Sequence, residues 1–150
     1  MEMLFPTLLG AAVLSGILAF LLRANSRMWR IVASAYAANS PHPVLARKSF
    51  EQVLIAGSGL AFRNYVPLTV GVHEKGISLR LLPPFSLQCP PLFLPFSDMT
   101  CRRTDWFLSH DVFAIKLAEV DVDIIVSHRL WTWMQSQCGL ELSYARVAGR

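Results

Sequence analysis

Cysteine is scarce in this chain and never paired. Its three cysteines, Cys89, Cys101 and Cys138, include no CxxC spacing. The paired spacing of structural zinc ligands is missing even when His73, His110 and His128 are counted. Concentrated charge is lacking too. Charged residues make up 16% of the 150 positions and the formal net charge is +4. Part of that excess comes from Arg23, Arg27 and Arg30, which leaves no basic stripe of the kind nucleic acid requires. Phosphate-loop and catalytic signatures are absent as well. Gly57-Ser58-Gly59 lacks GxxxxGK[ST] and a following helix. Ser109-His110-Asp111 holds the three residue types of a hydrolytic triad, but strand neighbours face opposite ways, whereas a triad is assembled from separated positions. Asp121 and Asp123 alternate with apolar residues and read as a solvated strand face. Acid–base work would need a pocket gathering Asp98, His110 or the Asp121/Asp123 pair, and the expectation is a chain with no catalytic residues, no cofactor and no metal.

Charge is missing altogether from residues 4–22, LFPTLLGAAVLSGILAFLL. At ~1.5 Å per helical residue such a run just crosses a ~30 Å hydrocarbon layer. Pro6 sits in the first turn, where its missing N–H costs nothing. The arginines lie on the C-terminal flank and only Glu2 on the other, which predicts an uncleaved single-pass anchor over 1–25 in an inner membrane, N-terminus out and C-terminus cytoplasmic. In that compartment the thiols stay reduced. Ala12 and Gly16 give the small-xxx-small spacing that permits close helix packing. Residues 26–38 carry an i, i+4, i+8 stripe of Met28, Val32 and Tyr36. They continue the helix to Asn39, and a proline-rich linker completes a 26–43 juxtamembrane unit. Arg23, Arg27, Trp29 and Arg30 are the candidate lipid-headgroup contacts.

Residues 44–150 read as one small domain, mainly β. A first strand is expected over Phe50–Leu60. Leu68–His73 and Ile77–Leu82 form a hairpin, with Gly76 suited to a left-handed turn position. A proline-bracketed loop (83–91) precedes a short edge strand at Leu92–Phe96, because Pro95 cannot donate to a ladder. Strands follow at Thr100–Phe107, Val112–Leu117 and Val122–Val126. Ser127 caps a closing helix that Gly139 stops. The architecture expected is therefore a transmembrane helix followed by a small antiparallel barrel or sandwich with a C-terminal capping helix.

The hairpin Val70-Gly71-Val72-His73-Glu74-Lys75-Gly76-Ile77-Ser78-Leu79, the segment Leu94-Pro95-Phe96-Ser97-Asp98-Met99 and the final helix resemble bacterial pleckstrin-homology-like (PH-like, GRAM-like) domains, and the chain looks like short single-span membrane proteins that carry one. The likeness covers roughly residues 50–142. With the anchor, the lack of a catalytic constellation and the surplus of aromatic and proline-flanked apolar surface, the expectation is a cytoplasmic, non-catalytic accessory or scaffold element that binds a membrane-protein partner or a second copy of itself. Lipid binding at the bilayer surface is the alternative, and an enzyme is the last reading. No headgroup ligand carries over, since no basic loop motif matches. Trp133, if it lies on the outer helix face, and Phe93 and Phe85 in the apolar loop region are the candidate partner contacts.

Overall fold

A computed structural model of the protein describes residues 4–38, 43–57, 62–106 and 109–138. Its first element is one unbroken helix, α1 (Leu4–Tyr36). Seven strands follow: β1 (Ala46–Gly57), β2 (Phe62–Val72), β3 (Gly76–Leu81), β4 (Leu92–Pro95), β5 (Met99–Trp106), β6 (Ser109–Leu117) and β7 (Val122–Ser127). Helix α2 (His128–Cys138) closes the described chain. All pairings are antiparallel, in the order β4-β3-β2-β1-β7-β6-β5, and the sheet curls into a half-barrel.

The N-terminal helix forms, but the role expected of it is overturned. Among the described residues no helix is long and apolar enough to cross a membrane. The single-pass anchor over 1–25 and the inner-membrane placement with the N-terminus out fall with it. The helix is 33 residues long, and Ser15 and Gly16 lie among the exposed positions 12–17. The helix runs past the basic flank to Tyr36, as the stripe over residues 26–38 led one to expect. Its last turns dock into the curl of the sheet, burying Met28, Trp29, Val32 and Tyr36 while Arg27 and Arg30 stay exposed. The 3.6-residue stripe thus serves the protein's own core.

Polar handles fix that docking. The Trp29 indole N–H donates to the Pro90 carbonyl at 2.8 Å, and its ring lies 5.1 Å from that of Tyr65. The Trp29 backbone N–H donates to the Tyr65 hydroxyl at 2.9 Å. At the last turn, the Glu119 backbone N–H donates to the Tyr36 hydroxyl at 3.1 Å.

A closed barrel or a two-sheet sandwich is also corrected, to one continuous sheet. The cause is β1, whose twelve residues pair with β2 from Ala46 to Ala56 and with β7 from Val53 to Gly57. One strand therefore joins both halves. Register shifts between Lys48 and Val53 bend it, with Phe50 at a left-handed φ of 61°. Alternation then sorts the side chains. Val53, Ile55, Leu68, Val70, Leu79 and Leu81 face the core, where Leu130, Trp131 and Met134 of α2 meet them. Leu130 N–H donates to Ser127 Oγ at 3.2 Å, the expected cap.

Gly76 differs from the expectation. It does not adopt a left-handed φ. It is small because a Cβ there would run into the Leu94 carbonyl of β4.

The three cysteines are free. Burial pushes the Cys89 thiol from the ordinary 9.0 up to about 11 and Cys101 up to about 12, and raises Cys138 as well. At pH 8 the reactive thiolate of Cys89 should be ~100-fold rarer than that of a free cysteine. Iodoacetamide labelling followed by mass spectrometry should therefore be slow at Cys89 and Cys101 in the folded protein, and fast in denaturant. Because the folded pKa values lie above the unfolded ones, the stability these thiols lend is complete below pH 9. It is lost progressively as pH rises from 9 through 11 to 12, so melting temperature should fall across that window.

Candidate functional site

The outer face of the β1–β3 region carries a groove of about 630 Å³, within the range of ligand sites. Its construction follows from strand alternation. Ile77, Leu79 and Leu81 of β3 point into the core, so Ser78 and Arg80 point out. On β2, Thr69 and Gly71 alternate with buried Leu68, Val70 and Val72. On β1, Arg47 and Ser49 lie on the same outer side. Register then makes rows across the strands. Arg47 pairs with Gly71, Gly71 with Ser78, and Ser78 with Phe93. In the next row Thr69 pairs with Arg80, and its hydroxyl lies 3.0 Å from that of Ser49. Val44, Pro83, Ser86 and Pro91 complete the lining.

His73 anchors one wall. It is 5% exposed. Its Nδ1 lies 2.8 Å from the Pro43 carbonyl, which can only accept, so Nδ1 carries the proton. In the neutral ring Nε2 then accepts from the Ser78 hydroxyl at 2.8 Å. Phe93 meets the imidazole edge-on, with 5.4 Å between ring centroids. Gly71 makes room for this cluster, since a Cβ there would fall 2.5 Å from Ser78 Oγ and 3.3 Å from His73 Nε2. A serine hydroxyl bonded to an oriented imidazole is the beginning of a nucleophile–base pair. β3 is laddered to β2 over Ile77–Leu81 and to β4 over Gly76–Leu79, which places Ser78 between two paired strands.

The residues singled out in the sequence are scattered. Phe93 lines the groove. Phe85 is half-buried and packs on the core, and Trp133 does the same, with Lys48 Nζ 5.5 Å from its ring centroid. Trp29, read as a headgroup contact, is fully buried, whereas Arg27 and Arg30 are exposed. The Arg23 side chain and those of Ser109 and His110 lie outside the described residues. Asp111 pairs with Arg103 at 2.6 Å and sits 3.4 Å from His128 Nδ1. Asp123 pairs with Arg102 at 2.9 Å. Asp98 receives the Ser97 hydroxyl at the corner before β5, and Asp121 is exposed. None of these carboxylates lines the groove. Among the described residues, no group of three or more His, Cys, Asp or Glu side chains could hold a metal ion.

Sequence reasoning missed Arg47, Arg80, His73 and Ser78 as a group. The polar members of β1 and β3 alternate visibly, but only the register places them side by side. No protein-family model matches the chain, and no curated protein matches it.

Proposed function

We propose that this chain is a non-catalytic binding module of PH-like design whose groove receives a protein partner. The observation that carries this reading is the groove itself, an open cleft over ordered strands with apolar and polar residues in its lining. Sites on rigid elements with a few convergent polar groups suit recognition. Antiparallel strands in the order β4-β3-β2-β1-β7-β6-β5, followed at once by a helix, support the PH-like assignment.

The test is site-specific photocrosslinking in cells. A benzophenone amino acid placed at Phe93 should give one discrete protein adduct. The same group at Thr132, on the exposed side of α2, should give none. Thr69→Trp, which fills the groove, should remove the Phe93 adduct while the far-ultraviolet circular dichroism stays unchanged. Equal adducts from both positions, or an adduct indifferent to Thr69→Trp, would exclude the groove as the docking site.

A further inference from the structure

We propose that the groove selects an extended acidic segment of its partner, holding carboxylates between Arg47 and Arg80. This inference rests on the protein-binding reading above and adds the chemistry of the occupant. The lining contributes two arginines, one histidine and four hydroxyls, from Ser49, Thr69, Ser78 and Ser86, and no carboxylate. The cations are also uncommitted. Arg102, Arg103 and Arg129 each meet a carboxylate, at 2.9, 2.6 and 3.6 Å. The side chains of Arg47 and Arg80 have no ion pair or hydrogen bond among the described residues. The nearest acid on β1, Glu51, is already engaged by Lys48 at 2.9 Å and Arg129. An occupant that supplies negative charge completes the groove electrostatically, and a cationic one is rejected.

Spacing defines the form of that occupant. Arg47 and Arg80 stand on β1 and β3, with β2 between them, in adjacent rows of the ladder. With strands ~4.8 Å apart and alternate residues ~6.8 Å apart, their backbones lie roughly 12 Å from one another. An extended peptide repeats its side chains on one face every ~6.8 Å. Two acids four positions apart, about 13.6 Å along such a segment, therefore come nearest to the interval, each facing one guanidinium, which offers a planar fork to a carboxylate. Ser78 is engaged by His73, and Ser49 and Thr69 bond each other, which leaves one hydroxyl of that pair to donate; Phe93 at the end of the Arg47 row takes a flanking apolar side chain.

The test uses the full chain and an acetylated, amidated peptide, Glu-Ser-Glu-Ser-Glu-Ser, with the Gln-Ser counterpart as control. Binding is followed by calorimetry and by the arginine Nε–Hε resonances. The acidic peptide should bind, shift the Arg47 and Arg80 signals, and weaken as salt is raised. Arg47→Gln and Arg80→Gln should each reduce affinity at least tenfold, and the lysine variants should retain part of it. Inorganic phosphate and phosphatidylglycerol vesicles form separate arms. Saturation of the same signals by either of these with no response to the peptide would overturn the proposal, as would peptide binding unaffected by the double glutamine variant. Should the Phe93 crosslink form while the acidic peptide neither binds nor competes with it, the acidic chemistry falls and the docking site stands. Absence of the crosslink strikes the docking site itself.

Discussion

Trp29→Ala should destabilise the protein by about 3–5 kcal/mol, the cost of removing a fully buried large aromatic side chain. For a chain of this length that corresponds to a fall in melting temperature of roughly 10 °C or more. The indole is 0% exposed, and its loss leaves both the Pro90 carbonyl and one face of Tyr65 without a neighbour. Trp29→Phe keeps a six-membered ring but removes the donor and part of the buried ring system, so it should cost about 1–3 kcal/mol. Arg30→Ala, one residue further along and exposed, should stay within about 0.5 kcal/mol. Urea denaturation of the three variants separates a core role from a surface role at this turn of α1. Equal, near-zero effects for Trp29 and Arg30 would mean that the end of α1 is not part of the core.

Gly76→Ala should be the costliest single-methyl insertion in the hairpin. The added Cβ would meet the Leu94 carbonyl, with Phe93 Cζ at 2.9 Å and the Leu94 carbonyl carbon at 3.0 Å. Two of these obstacles are backbone atoms of a paired strand and cannot rotate away, so β4 itself must move. Overpacking of this kind costs about 1–3 kcal/mol or more. The comparison is Gly71→Ala, whose close contact is with the Ser78 hydroxyl, the end of a side chain that can turn. Gly71→Ala should be the milder change in thermal melts, yet it should disturb the His73–Ser78 hydrogen bond. If Gly76→Ala melted with the wild type, close approach would not be the reason for glycine there.

The two glycines show where sequence reading succeeds and where it stops. The hairpin around Glu74-Lys75-Gly76, the edge position of β4, the Ser127 cap and the closing helix all follow from local chemistry: alternation, a proline without a donor, a short polar cap. The reason for Gly76 does not, because it lies in a carbonyl of another strand. The same limit explains Trp29. A tryptophan among arginines at the end of an apolar run has the composition of a membrane interface, and the 28–32–36 stripe fits lipid and sheet equally well. Only the tertiary partners, Tyr65, Pro90 and Glu119, choose between them. The single sheet was hidden for a related reason. Its continuity depends on β1 serving two neighbours at once, and one strand's sequence does not display its register. The groove is a third instance. Arg47 and Arg80 are ordinary outward residues on separate strands until β2 brings their rows together.

The hydrogen bonds that seat α1 bridge 36, 61 and 83 positions of sequence. A ribosome therefore delivers this helix first and its last receptor, the turn before β7, some eighty residues later. Contacts so distant along the chain close slowly, and until they do the side chains of Met28, Trp29, Val32 and Tyr36 face the surroundings of the nascent polypeptide. The interval between synthesis of the first element and its seating is the period in which newborn copies of this protein are most exposed to aggregation.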